Sequence, residues 1–246
     1  MSGQTRPAFY ALSAGGWRDY VTLLHLPYSA WHLSYVAIGA GLAPELHPWR
    51  LLAALVAFFL AVGVAAHALD ELQGRPLGTR IPRAILLALT AVSLAGAAAI
   101  GVTVAAVADL WALLIFVAAG VFLVCAYNLE LFGGRLHTDL WFAVAWGAFP
   151  LLTGYFVMAG ALRVEALAGA AFATLLSLAQ RRLSTQARTF RRSVAAVGGT
   201  VELRDGTSRP ITSETFVGAP EEALRALTAA TIALAAALLL VGSDWL

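Results

Sequence analysis

The chain has 246 residues, of which 60% are hydrophobic and 12% charged, with a formal net charge of +2. A soluble domain is nearer half apolar and a quarter charged, and the mean hydropathy here is +0.79, so the composition excludes a soluble globular enzyme and describes an integral membrane protein. All 16 basic residues are Arg, a bias that points to a GC-rich bacterial genome and a bacterial plasma membrane, and a single cysteine, Cys125, excludes an internal disulfide framework.

A membrane-spanning helix needs about 20 mostly apolar residues. Residues 1–20 are polar, include Arg6 and Arg18, and lack the short apolar core of a signal peptide. The first span, Tyr20–Ala43, begins with His25 and His32, seven residues apart and so on roughly one face of a helix. Pro27 is tolerable near a helix start, and Tyr28 and Trp31 suit an interfacial aromatic belt.

The second span, Leu51–Glu71, ends in His67, Asp70 and Glu71, spaced i, i+3, i+4 and therefore expected on one helix face. Acids at the end of a membrane helix are costly and mark function by default. Gly74 and Pro76 stop this helix, and Arg75, Arg80 and Arg83 follow. The third span, Ala84–Val107, is rich in Ala and Gly, which lets membrane helices approach closely.

The fourth span, Leu110–Asn128, closes with Tyr127 and Asn128, and His137 with Asp139 then reads as a loop pair or helix cap. The fifth, Leu140–Leu162, carries Trp146, Gly154, Tyr155 and Pro150, and the proline frees a backbone carbonyl. The sixth, Ala166–Gln180, exits into Arg181–Arg192, where Gln180, Ser184, Arg188 and Arg191 or Arg192 recur at helical spacing. That run reads either as an anchor on anionic lipid head groups or as an anion-binding wall for phosphate. It opens a basic loop over 181–219, within which Asp205-Gly206 signals a β-hairpin over 200–211. The seventh span, Glu222–Val241, is plain Ala and Leu and is opened by Pro220.

The expected architecture is therefore all-α: one membrane domain over 1–246 with about seven transmembrane helices. Arg placement sets its orientation. Seven spans put all Arg residues except Arg50 and Arg163 on one side, which makes the N-terminus cytoplasmic and the C-terminus, Ser243-Asp244-Trp245-Leu246, external. On that topology His25, His32, His67, Asp70, Glu71, Tyr127, Asn128, Gln180 and Ser184 converge at the cytoplasmic side, around a polar cavity sunk into the bundle.

Two chemistries fit such a cavity. In one, Asp70 and Glu71 hold Mg²⁺ through oxygen while Arg75, Arg80, Arg188 and Arg191 neutralise a diphosphate. In the other, His25, His32, His67, Asp70, Glu71 and His137 hold a transition metal, since imidazole suits Fe, Zn or Cu. No HExxH, P-loop, nucleophile elbow or paired-cysteine zinc motif is present. The expected partner is a membrane lipid or isoprenoid, with no nucleic acid, and the oligomeric state is left open.

The layout resembles the UbiA superfamily of intramembrane prenyltransferases. The carriers are Asp70-Glu-Leu-Gln-Gly-Arg75-Pro76-Leu77 after the second span, Ala126-Tyr127-Asn128, Trp146 to Pro150 through Gly154-Tyr155, and Gln180 to Arg192 after the sixth. The resemblance covers about residues 20–192 and implies prenyl transfer from an isoprenoid diphosphate, with His67, Asp70 and Glu71 catalytic. The sequence also departs from the pattern. The earlier motif acids fall at Val62, Gly63 and Ala66, no acid occurs between Glu165 and Glu202, and the family usually has nine helices. Three functions stand at this point: a lipid-diphosphate transferase, a His/carboxylate metalloenzyme of membrane lipids or quinones, and a non-catalytic protein on the same fold.

Overall fold

Runs of Ala, Leu and Val with few breakers fold as helices, which make up 72% of the protein. The structure, a computed structural model, describes residues 7–241. The expected external C-terminal end, Ser243 to Leu246, and Arg6 lie outside the described residues. In chain order the elements are α1 (Trp17–Leu23), α2 (Leu26–Leu42), α3 (Pro48–Leu72), α4 (Arg83–Val107), α5 (Leu113–Asn128), α6 (Asp139–Ala159), α7 (Val164–Arg192), β1 (Thr200–Glu202), β2 (Ser208–Pro210) and α8 (Ser213–Val241). Among the described residues α3, α4, α6 and α8 are long and apolar enough to cross a membrane, and α5 is a shorter apolar helix.

Several boundaries differ from the sequence expectation, each for a local reason. The segment Tyr20–Ala43 is two helices, because His25 adopts φ 45, in the left-handed region. Pro27 has no N–H for the Leu23 carbonyl, so a helix running through this point would lose a bond, and the chain restarts instead. Residues 181–192, placed in the basic loop by the sequence but spaced there as a helix, continue α7: no Gly or Pro interrupts 170–197, and Arg191 and Arg192 in the last turn suit the helix dipole. The last helix begins at Ser213, so Pro220 lies inside it.

Pro220 removes the donor for the Phe216 carbonyl four residues earlier. Gln186 of α7 replaces it, donating from Nε2 at 3.0 Å. Pro150 does the same to the Trp146 carbonyl in α6, and there the replacement is His32 of α2, donating from Nδ1 at 2.7 Å. Helices α3 and α6 also widen into π-helical turns, over Phe59–Ala66 and Val144–Ala148. Such turns change the helical phase and often occur at functional sites.

α2 is the central helix, packed against α6, α7 and α8. Trp31, Tyr35, Ile38 and Leu151 are fully buried there. Trp31 Nε1 donates to the Tyr35 hydroxyl at 2.7 Å, and Ser177 Oγ of α7 donates to the same oxygen at 3.1 Å. α2 and α6 approach to backbone contact at two glycines. A Cβ on Gly39 would lie 2.0 Å from the Leu151 carbonyl oxygen, and one on Gly154 2.1 Å from that of Val36. Away from this core, β1 and β2 form an antiparallel hairpin pairing Thr200 with Pro210 and Glu202 with Ser208. Its turn uses Gly206 at φ 82 and Asp205, whose Oδ1 accepts from the Thr207 N–H at 2.9 Å.

Gly154→Val has no side-chain route to relief, because the obstacle is backbone. It should cost about 3 kcal/mol or more, read as a lower melting temperature or loss of monodisperse protein in detergent. Leu175→Ala, on the exposed face of α7, should leave both unchanged.

Candidate functional site

The end of α3 divides its polar residues between two jobs. Adjacent residues on a helix point about 100° apart, and here that separates Asp70 from Glu71. Asp70 is half-buried and faces a cavity, as does His67, while Glu71 is completely buried on the other side. Glu71 Oε2 accepts from the Leu77 N–H at 3.0 Å, and its Oε1 accepts from the N–H and hydroxyl of Thr79, both at 2.8 Å. A buried carboxylate is stable only with such partners, and here they are the loop's own backbone.

Other expected ligands belong to the same loop. Arg75 donates from Nη1 to the carbonyls of Thr79 and Ile81 at 2.9 and 2.8 Å. Arg80 is exposed, and its N–H donates to Asp19 Oδ2 at 2.8 Å. Arg191 turns toward α8, where its Nε and Nη2 donate to the Glu221 carboxylate. That bond and the Glu221 charge hold its guanidinium above the usual pKa. Glu71, Arg75, Arg80 and Arg191 are therefore not among the cavity walls.

The cavity itself measures about 300 Å³. The start of α2 contributes His25, Tyr28 and His32, and the end of α3 contributes His67 and Asp70. Tyr127 and Asn128 close α5 on it, and His137 and Trp146 face it from the loop and helix that follow. α7 supplies Gln180, Arg181, Ser184, Arg188 and Arg192. The N-terminal segment lies across it through Ala8 and Tyr10. That segment is held by Arg192 Nε, which donates to the Pro7 carbonyl at 3.0 Å, and by Arg225, whose guanidinium sits 5.1 Å over the Phe9 ring. Burial pushes the Tyr10 hydroxyl pKa up.

Sequence reasoning left out Tyr10, read Tyr28 as belt and His137 as a cap or a metal ligand, and gave Arg192 only as the alternative to Arg191 and Arg181 only as part of the basic run. Arg181 and Arg192 carried the same signal as Arg188, the helical spacing on one run. Tyr10 carried none, since only the long-range fold brings it here.

Three imidazoles are fixed in the same way. His32, His67 and His137 are held through Nδ1 by the carbonyls of Trp146, Gly63 and Tyr127, at 2.7, 3.1 and 3.0 Å. A carbonyl oxygen only accepts, so Nδ1 bears the hydrogen and Nε2 is left as each neutral ring's accepting nitrogen. His25 stacks on His67 with ring centroids 4.0 Å apart. Asn128 Nδ2 donates to the Val124 carbonyl at 2.8 Å.

Two features show what the cavity lacks. His25 Nε2, Tyr127 Oη and Gln180 Oε1 are buried without a hydrogen-bond partner among the described residues, and all three residues are cavity walls. Buried polar atoms are rarely left so, which calls for a polar occupant. The charge is also unbalanced, since among the described residues Asp70 is the one carboxylate in a wall that carries three arginines. Arg181 is paired with Asp139 at 3.1 Å, but among the described residues Arg188 and Arg192 have no ion-pair partner. Burial, with the neighbouring Arg181 and Arg192, holds the Arg188 pKa below that of a free guanidinium. A guanidinium still stays protonated, so this corner carries positive charge that an anion would offset.

The donor set does not fit the expected metals. Mg²⁺ shared by Asp70 and Glu71 needs two carboxylates on one space, and Glu71 is spent in the loop. Among the described residues no group of three His, Cys, Asp or Glu side chains is close enough to hold an ion, the histidines included. No family model, no curated protein and no solved structure matches the chain.

The two acids at the end of α3 should behave oppositely. Glu71→Ala should lower stability by about 1–3 kcal/mol, the cost of leaving buried donors unmatched, read as a fall in melting temperature. Asp70→Asn should leave the melting temperature near that of the parent, since among the described residues its carboxylate makes no clasp of this kind and faces the cavity.

Proposed function

We propose that the protein is a membrane-embedded, prenyltransferase-like transferase acting on an isoprenoid or related lipid diphosphate. Its α2 to α8 correspond to seven spans of UbiA-like layout in a bacterial plasma membrane, with the cavity facing the cytoplasm, the N-terminus inside and the C-terminus outside. The observation that carries this reading is the pair of unpaired guanidinium groups, Arg188 and Arg192, beside three unpartnered buried polar atoms at the basic end of apolar helices.

The chemistry follows from the wall residues. Diphosphate oxygens accept from Arg188 and Arg192, with charge-assisted geometry that Arg favours. The carbon–oxygen bond at C1 of the lipid breaks, and its electron pair leaves on the diphosphate, which the same arginines stabilise. The acceptor substrate forms the new bond at C1 and loses a proton. His67 Nε2 takes that proton, because Nδ1 is already committed to the Gly63 carbonyl. Asp70, one turn away on α3, stabilises the imidazolium that results.

A non-catalytic lipid-binding protein on the same fold is the second reading. Asp70 being the one cavity carboxylate favours it.

Binding of farnesyl diphosphate to purified protein tests the anion site. Arg188→Gln with Arg192→Gln should weaken it at least about tenfold, since each charge-assisted bond contributes about 1.5–3 kcal/mol and 1.4 kcal/mol is tenfold. Binding should be equal in EDTA and in Mg²⁺. Unchanged binding by the double variant, or a strict need for Mg²⁺, removes the guanidinium reading. His67→Ala and Asp70→Asn should retain binding and lose diphosphate release. A parent protein that binds and never releases diphosphate with any acceptor belongs to the second reading.

A further inference from the structure

Arg192 touches two things at once. Its guanidinium stands in the cavity wall beside Arg188, and its Nε donates to the Pro7 carbonyl of the segment that lies across the cavity. A guanidinium carries several N–H donors in a fork. With Nε given to Pro7, the others stay free for an anion.

The segment is fixed at one end and lightly held at the other. Residues 7–16 contain no helix or strand. Among the described residues, the Arg192 bond is the hydrogen bond that joins residues 7–11 to the rest of the protein. Ring contacts add to it: Phe9 lies under Arg225, and Tyr10 packs on His25 and Tyr28. The root is firmer. The Leu12 N–H donates to Thr22 Oγ1 at 3.0 Å and the Gly15 N–H to Asp19 Oδ1 at 2.8 Å. Gly15 and Gly16, at φ 120 and 62, then turn the chain into α1. Residues 7–11 are therefore a strap, rooted at Leu12 and latched at Pro7.

The latch is sensitive to what the cavity holds. In the latched arrangement Arg192 lies close enough to Arg188 for the two charges to oppose each other. Arg192 is exposed, so swinging into water relieves that repulsion and gives up the Pro7 bond. An anion between the two guanidinium groups reverses the balance. It draws Arg192 inward, to the position from which Nε reaches Pro7. A ligand shifts a conformational equilibrium only through different affinities for the two states, and the inward Arg192 supplies that difference.

We infer that residues 7–11 close over an occupied cavity, and that Arg192 couples this closure to the anion it shares with Arg188. The inference rests on the proposed function for the anion. Coupling of this kind is reciprocal, so the closed strap slows escape of the bound anion.

Ala11 is 1% exposed and lies outside the cavity walls, so a cysteine there reports the strap and is not covered by the ligand itself. The test labels Ala11→Cys, in a Cys125→Ser background, with a polar maleimide on full-length protein in lipid nanodiscs. Saturating inorganic diphosphate should slow labelling at least about threefold, the effect of one charge contact near the surface. Arg192→Lys keeps a charge for the anion and lacks the Nε fork. At diphosphate concentrations that saturate it, this variant should label at one rate with and without the ligand. Arg225→Gln, outside the cavity, loosens the strap at Phe9 and should speed both labelling and diphosphate release. Hydrogen exchange over residues 7–12 of the unmodified chain, slower with diphosphate than without, reads the same closure without any substitution. Labelling and exchange that ignore bound diphosphate, or that slow equally in Arg192→Lys, overturn the coupling and leave the anion site standing. Failure of diphosphate to bind overturns the head-group reading and this inference with it.

Discussion

Inside a hydrocarbon-facing bundle, no water reaches a backbone carbonyl that loses its partner, and each such loss costs several kcal/mol. Two prolines free a carbonyl here, one at the buried cavity wall and one at the exposed end of α8, and the protein meets both with side chains from other helices. The Trp146 carbonyl released by Pro150 receives His32, and the Phe216 carbonyl released by Pro220 receives Gln186. The first of these ties α2 to α6 at the cavity wall and at the same time fixes which imidazole nitrogen of His32 remains free. The second joins α7 to α8 just below the Arg188–Arg192 turn. Chain breaks that look like defects in single helices are thus the points at which the bundle is cross-linked.

The same economy explains the cavity. His32, His67 and His137 are each held by a backbone carbonyl, so the polar wall is oriented by the helices themselves rather than by further polar side chains. Glu71 organises the loop after α3 and takes Thr79 with it, while Arg75 closes that loop from the other side. With Glu71 and Arg191 engaged elsewhere, the cavity keeps an excess of positive charge. That excess is costly to bury, and an anion is the group that offsets it.

Much of this was legible in the residues. Apolar length marked α3, α4, α6 and α8, and a His, Asp or Gln inside apolar sequence marked His25, His32, His67, Asp70 and Gln180, all of which line one cavity. Ser184 followed from helical spacing, and Asn128 from its place at the end of the fourth span. The division between Asp70 and Glu71 was not legible, because their phase depends on the wide π-helical stretch before them and on donors in a loop six to eight residues later. Arg191 and Arg192 are equivalent in sequence; Glu221, thirty residues on, claims the first and leaves the second to the cavity. Tyr10 was invisible for the reason that its neighbours, Tyr28 and His25, are brought to it only by folding.

The segment over the cavity has a consequence in time as well as in space. Pro7 is bonded to Arg192, 185 positions later in the chain, and Phe9 lies under Arg225 of α8. Chains emerge and fold from the N-terminus at a finite rate during synthesis. Residues 7–9 therefore stay unclamped until α7 and α8 have been made. The Ala8 and Tyr10 wall of the cavity is thus set only together with the arginines of α7 that it faces, at the close of assembly rather than at its start.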